Sequence, residues 1–486
     1  MNRSDFLRIM AMGGAGAALT ACGQRLPDYS GLQTENLRSI TLLYTNDEHG
    51  WMEQKSPNGG AGGMYRRWQR DTGYSPGGAF LVLSGGDSWT GPALSTWFKG
   101  ESMVAVMNTM GYSAAAVGNH DFDFGVDVLQ QRAAQANFPL LSANLREKSS
   151  GKVPDYVQPF TLQEVNGIRV GLIGLTTQET AVDTHPSNVA NLEFLPYEDS
   201  LRQVVPQVKA SGAQLMVIVG HLCTGEMRSL APIASELGIP ILCAGHCHEQ
   251  TVEQVEDVTI VQADSFMSSY IRIAMLFNTS KNRLEMSDAR LLSNPMGGSE
   301  PVIQEAIQSW HARADPTLWE VIGYAGQKID AGSPEMAQLL TTPWLDAIPG
   351  AQIAFFSPRY VQSLPDGDIT PATILGMIPT DNELVLMQLT GAQVIEIIET
   401  HHPRMGGLVE KEGILYLDNG LPLESRVSYN VIIPDGLFEG ENYFNIIKYD
   451  PNGNYTGVNW RTPVLEWVRN LKTSPNNALE AQLVGG

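Results

Sequence analysis

The sequence predicts a layered fold of the α/β or α+β class, divided into two domains. Two observations lead there. Short apolar runs each end in a polar, glycine-rich turn, and helix-like stretches separate them. The character then shifts near Gly326, where mixed helical and strand-like segments continue to the end. At 486 residues the chain is too long for one core, and 43% hydrophobic residues suffice to fill two.

Five apolar runs read as buried strands. Ile40–Tyr44 leads into Thr45-Asn46-Asp47-Glu48-His49-Gly50, and Ala79–Leu83 into Ser84-Gly85-Gly86-Asp87. Ala114–Val117 leads into Gly118-Asn119-His120-Asp121. Gln214–Val219 leads into Gly220-His221, and Ile239–Cys243 into Ala244-Gly245-His246-Cys247-His248. Helices are expected over Met103–Met110, Val126–Ala136 and Leu201–Ala210. An amphipathic stretch from Pro301 to Val321 reads as a linker helix within a connection spanning 298–325. Beyond it, Thr390-Gly391-Ala392-Gln393 opens a helix whose apolar residues are Val394, Ile395, Ile397 and Ile398. No internal repeat or low-complexity region interrupts the chain.

The first residues read as a targeting segment. Arg3 and Arg8 bracket a charged start, and the run Ile9–Leu19 is too short to cross a bilayer. It ends in Leu19-Thr20-Ala21-Cys22-Gly23, which resembles a bacterial lipobox. The expectation is a signal peptide over 1–21, lipidation at Cys22, and a polar tether over 22–38. That places the chain on the periplasmic side of a bacterial membrane. Asn2–Arg8 also looks like a degraded twin-arginine signal, with Ser4 where the second arginine would sit, so both export routes stay open. A net charge of -21 repels phosphate backbones and excludes a nucleic-acid polymer as partner.

The five turns carry Asp47, His49, Asp87, Asn119, His221, His246 and His248. Two carboxylates, an amide oxygen and four imidazoles suit Mn, Zn, Fe or Co and suit Ca poorly. They are too many for one tetrahedral ion. They suit two divalent ions bridged by a shared carboxylate, roughly 3.5–4 Å apart. Such a pair binds a phosphate oxygen and activates a water. His120 directly follows Asn119, and Asp123 lies three residues on. A histidine oriented by an aspartate suits protonation of a leaving oxygen. Taken singly, Asp47 and Asn119 would read as turn-formers. His49, His246 and His248, however, sit in glycine-flanked turns, where a merely packed histidine is unusual. His185 and His401-His402 fall outside the pattern and read as structural or surface residues. Beyond Cys22, three cysteines remain, so at least one is unpaired within a monomer. The preferred reading of Cys223, Cys243 and Cys247 is buried packing. A Cys223–Cys247 or Cys223–Cys243 disulfide stays open, and thiolate ligation is the least favoured.

These turns resemble the 5′-nucleotidase branch of the calcineurin-like metallophosphoesterases. The family's signatures read here as Leu43–Gly50, Gly85-Gly86-Asp87, Gly118–Asp123 and Gly245-His246-Cys247-His248. Further matches are Gly62-Gly63, Ser142–Leu145 and Gly171–Thr177. The resemblance implies that Asp47, His49, Asp87 and His248 hold one metal. It gives Asp87, Asn119, His221 and His246 to the other, with Asp87 bridging. His120 and Asp123 match the catalytic dyad. The implied fold is a four-layer α/β/β/α metal domain over 39–297, a linker helix, and a C-terminal substrate domain over 326–486. In relatives that domain can rotate to deliver substrate.

The C-terminal half resembles the family more loosely. Leu364–Thr370, Leu389–Ala392 and Gly413–Tyr416 fit. The phosphate-gripping turn reads Phe356-Ser357-Pro358-Arg359-Tyr360-Val361, with Val361 where the family has arginine; whether Arg359 replaces it from a shifted position stays open. Leu408 stands near the first base-stacking aromatic. Near the second, Pro434-Asp435-Gly436 replaces the expected segment, with Phe438 and Tyr443 close by. Arg359, Leu408 and Tyr443 are therefore the candidate substrate contacts. The leading expectation is a two-metal hydrolase of nucleotides or related phosphoesters, acting as a monomer. One alternative is a sulfate-ester or thiosulfonate hydrolase of the same architecture, whose relatives usually lack the intact Gly-Asn-His dyad. The other is a lipid-anchored binding protein without turnover, which has no use for His120.

Overall fold

The computed structural model describes residues 36–55, 57–439 and 446–483. The signal segment, Cys22, most of the tether and Tyr443 lie outside the described residues.

The N-terminal half is built on strands β1 (Leu37–Thr45), β2 (Phe80–Ser84), β3 (Ala114–Ala116), β4 (Leu140–Leu141), β5 (Leu145–Glu147), β6 (Phe160–Val165) and β7 (Ile168–Thr176). It continues with β8 (Leu192–Phe194), β9 (Leu215–His221), β10 (Ile241–Cys243), β11 (Gln250–Val255), β12 (Val258–Ala263), β13 (Ser269–Asn278) and β14 (Arg283–Ser293). Two six-stranded sheets result, in the orders β14-β13-β1-β2-β3-β4 and β11-β12-β10-β9-β7-β6. Strands β1 to β4 run parallel, as do β12, β10, β9 and β7. The remaining strands of both sheets pair antiparallel towards their edges.

Side-chain alternation explains the layering. Ile40, Leu42 and Tyr44 of β1 meet Val170 and Leu172 of β7 and Leu215, Val217 and Val219 of β9 in a core between the sheets. Leu43 and Val82 point the other way, into a core shared with helices Gly60–Thr72, Glu101–Met110 and Val126–Gln135. Ile173, Met216, Ile218 and Leu242 face the opposite side and pack on helices Tyr197–Ala210 and Thr224–Leu237. The half is thus a four-layer α/β/β/α sandwich. Close sheet approach needs Gly174 on β7, because a Cβ there would stand 2.2 Å from the Leu141 carbonyl carbon.

The stretch read as one long linker helix behaves differently. Its helix runs only Pro301–Arg313, and Asp315-Pro316 starts a separate short turn at Pro316–Trp319. Pro316 lacks the N–H that a continuing helix needs. Ile303, Ile307 and Trp310 are buried in the N-terminal core, so the helix is packed rather than bridging.

The C-terminal half holds a five-stranded sheet. Its strand order is Arg404–Gly406, Ile353–Phe356, Ser428–Pro434, Glu383–Thr390, Asn454–Asn459. Separate apolar cores cover its two faces. Thr390 caps helix Gly391–His401 reciprocally with Gln393, as its sequence signature requires.

Candidate metal centre

Parallel strands point their C-terminal turns the same way, so the turns after β1, β2, β3, β9 and β10 gather at one end of the sandwich. Cross-sheet bonds fix that end. The Tyr44 hydroxyl donates to the Ala244 carbonyl (2.7 Å), and His221 Nδ1–H to the Gly85 carbonyl (2.8 Å).

Two sets of three donor atoms form there, each within 4.8 Å of one another: Asp47, His49 and His248, and Asp87, His221 and His246. Asp87 Oδ2 stands 3.1 Å from His221 Nε2 and 3.9 Å from His49 Nε2, so one carboxylate faces both sets. Asn119 Oδ1 lies 3.0 Å from His221 Nε2. All seven ligands inferred from sequence converge. A third grouping joins His246 to Glu179 and Asp183 at the rim, at 3.9 and 3.6 Å.

The donor chemistry fits a cation. His49 Nδ1–H donates to the Thr90 carbonyl (2.9 Å), and burial pushes its ring down to about 4, so Nε2 offers a lone pair. His221 likewise spends Nδ1–H on Gly85, leaving Nε2 against two oxygens. Burial alone would raise Asp87, yet the facing His221, His120 and His49 hold it well below the usual carboxylate range. Asp47 and Asp87 are both fully buried and ionised. Buried charges of this kind are found paired or bound to metals.

Backbone strain concentrates on the same residues. Asp47, His49, Asp87, His246 and His248 all have φ between 45° and 73°. Side chains rarely adopt that region, and it persists where surrounding structure enforces it. Enforcement comes partly from Asp121, which sequence reasoning passed over. Its carboxylate accepts the backbone N–H groups of Asp87 (3.2 Å), Ser88 (2.8 Å) and Gly118 (2.8 Å), tying the second turn to the third. Gly118 is required at this junction, since a Cβ there would fall 2.1 Å from Asp87 Oδ1. Glu48 was also passed over. It is fully buried beneath the turns, bonded by the Ser84 hydroxyl (2.8 Å) and by Thr45, and burial raises it to about 8. Its placement between Asp47 and His49 in sequence was the available signal.

His120 Nδ1 lies 3.0 Å from Asp123 Oδ2, and the Thr184 hydroxyl donates to Asp123 Oδ1 at 3.3 Å. Burial disfavours a charged ring, but the Asp123 and Asp87 carboxylates push His120 up to about 10.

The cysteines depart from the packing expectation. Cys223 and Cys247 form a disulfide, and among the described residues Cys243 alone is free, and it is buried. The bridge arises because Cys223 follows His221 and Cys247 separates His246 from His248, so bringing the histidines together brings the sulfurs together. Closing a 24-residue separation stabilises the fold by about 3 kcal/mol in the chain-entropy account.

A cleft of about 690 Å³ opens over the centre between the two halves, lined by His49, His120, His246 and His248 and by Arg359 and Tyr360 from the C-terminal half. Leu408 does not reach it. That residue is buried in a hairpin opposite Leu417 and lines a separate pocket, because the Leu408–Lys411 strand turns away beyond Gly406. His185, read as structural or surface, faces Asp435 of the C-terminal half at 3.4 Å.

Paired carboxylate and imidazole sets at the strand ends of a two-domain α/β protein fit the class of metal-dependent phosphoesterases. Comparison with known proteins narrows it. Residues 325–409 match the family "5′-nucleotidase, C-terminal domain". A snake venom 5′-nucleotidase of Gloydius brevicauda is 33% identical over 218 residues, which is 43% of this chain and 36% of that protein. Protein UshA of Yersinia enterocolitica is 27% identical over 413 residues, 73% of this chain and 74% of its own length. The chain therefore spans about a third of the venom enzyme but most of UshA. Among solved structures, a 5′-nucleotidase precursor of Thermus thermophilus superposes with a TM-score of 0.74 over 90% of this chain and 97% of its own, at 22% identity. The sulfate thiohydrolase SoxB of Thermus thermophilus superposes with 0.70 over 92% and 95%, at 18% identity. Residues 325–409 thus match the 5′-nucleotidase C-terminal domain, and the chain is similar to UshA and shares the fold of a 5′-nucleotidase precursor over most of its length.

Proposed function

We propose that this chain is a two-metal phosphoester hydrolase that releases phosphate from nucleotides or related phosphoesters. The observation that carries it is the facing of Asp87 onto both donor sets, with His120 beside them. Asp47, His49, Asp87 and His248 would hold one divalent ion. Asp87, Asn119, His221 and His246 would hold the second. Mn, Zn, Fe and Co all match the donor set. Ions held there supply positive charge for phosphoryl oxygens and lower the pKa of a water.

The chain's own residues do the rest. Asp123 binds His120 through Nδ1, which leaves Nε2 to hold a proton for the departing ester oxygen. The Asn188 amide donates to the Asp123 carbonyl (3.1 Å), fixing that loop. Arg359 brings a guanidinium to the cleft, suited to phosphate oxygens. The fold is shared with SoxB and so does not separate phosphoester from thiosulfonate chemistry. The intact Gly118-Asn119-His120 turn favours phosphoesters. A binder without turnover would leave His120 and Asp123 unused.

The test is a substrate panel on protein lacking residues 1–22, loaded with Mn or Zn. It comprises p-nitrophenyl phosphate, bis(p-nitrophenyl) phosphate, AMP, a UDP-sugar and a cyclic nucleotide. Hydrolysis of at least one, abolished by chelator and restored by metal, is expected. No metal-dependent hydrolysis of any of them ends this reading.

We further propose export and anchoring as a monomer at the periplasmic face of a bacterial membrane through lipidated Cys22. The disulfide suits an oxidising compartment, and no helix among the described residues is long and apolar enough to cross a membrane. Cys22→Ser is expected to move the protein from the membrane fraction to the soluble fraction of a bacterial host. Unchanged membrane retention would contradict the anchor.

A further inference from the structure

We propose that Trp51 and Phe266 form a subsite for flat aromatic leaving groups, built by the N-terminal half alone. The inference rests on the phosphoester reading of the metal centre and adds where the rest of the substrate lies. The Phe266 ring centroid stands 5.5 Å from that of His49 and 5.2 Å from that of His248. Trp51 continues the surface outward, 5.2 Å from Phe266 and tilted by 36°. Both rings are half-buried and line the cleft over the centre. The Lys55 ammonium lies over the Trp51 ring at 5.1 Å.

Backbone geometry marks Phe266 as placed rather than merely packed. It has φ of 58°, flanked by Asp264 at 66° and Met267 at 55°. That region is a genuine outlier for a bulky side chain. Four bonds enforce it. Phe266 N–H donates to the Asp47 carbonyl (2.8 Å), and the Asn46 amide to the Asp264 carbonyl (2.5 Å). The Asn58 and Asn294 amides donate to the carbonyls of Phe266 (3.4 Å) and Met267 (2.8 Å). The loop is therefore strapped to the turn that carries Asp47 and His49, and its ring is held beside two ligand imidazoles. An ester whose phosphate occupies the centre can lay its leaving group along this wall. Ring faces attract other ring faces without regard to hydrogen-bonding pattern, so the wall selects for an aromatic group rather than for one particular base. Leu408 of the C-terminal half lines a separate pocket and adds nothing to this wall.

The test is calorimetric titration of the full, Mn-loaded chain with phenylphosphonate and with methylphosphonate, which carry the same anion and cannot be hydrolysed. Phenylphosphonate is expected to bind roughly tenfold tighter, as one ring contact supplies. Trp51→Leu should erase that preference and leave methylphosphonate affinity unchanged, while Trp51→Phe should keep most of it. Equal affinities for the two phosphonates in the unaltered protein overturn the proposal, whether or not Trp51→Leu folds. So does a Trp51→Leu variant that retains the preference or weakens both ligands alike. Because binding is read without turnover, a protein that hydrolyses nothing yet prefers phenylphosphonate would refute the hydrolase reading and leave the subsite standing.

Discussion

Asp87→Asn is expected to lower kcat/KM for every hydrolysed ester on the order of 10³-fold, equivalent to about 4 kcal/mol of transition-state stabilisation. The substitution keeps size and shape. It replaces one carboxylate oxygen with an amide nitrogen at a position where Oδ1 accepts the His120 backbone N–H (2.8 Å) and Oδ2 faces His221 (3.1 Å) and His49 (3.9 Å). If the amide oxygen keeps the His120 bond, the nitrogen turns towards the imidazoles, where it cannot ligate. Bound metal should fall from two ions to one or none by elemental analysis. Far-UV circular dichroism should not change, because the remaining ligands sit on intact strand ends. Full metal content with activity within about tenfold of the original would show that Asp87 does not bridge.

The second large effect depends on the leaving group. His120→Gln is expected to slow hydrolysis by roughly 10² to 10⁴-fold for alkyl esters such as a nucleoside monophosphate, and far less for p-nitrophenyl phosphate. An alkoxide needs a proton as it departs, whereas p-nitrophenolate leaves without one. Metal content should be unaffected, since the bond from residue 120 to Asp87 comes from the backbone. Equal slowing of both esters would assign His120 to binding rather than to proton transfer. An unchanged rate for both would remove it from the mechanism. Asp123 acts through His120, so its loss should follow the same leaving-group dependence more weakly.

Much of the site was legible because its residues belong to local turns. An apolar run followed by Asp-Glu-His-Gly or Gly-Asn-His-Asp declares both the strand and the side chains its end presents. The parallel-sheet rule then sends those ends to one place. Helix starts carried equally local signals, as at Thr390, whereas the helix from Pro301 was read too long because periodicity outweighed the break at Asp315-Pro316. Glu48 and Asp121 sit inside recognised motifs. Their roles as a buried brace and a three-way backbone acceptor depend on groups from other turns, which sequence order does not supply.

By itself, then, the sequence marked the candidate metal ligands, the His120–Asp123 pair and the alternation that buries two sheets against each other, because each is written within a few consecutive residues. Tertiary structure alone decided the rest. It paired Cys223 with Cys247, moved Leu408 out of the cleft, set His185 against Asp435, and strapped Phe266 beside His49. Apart from Leu408, which is carried off on a local hairpin, each of these is a contact between segments well separated in the chain. Its existence follows from how sheets, turns and halves pack, and no local pattern encodes that.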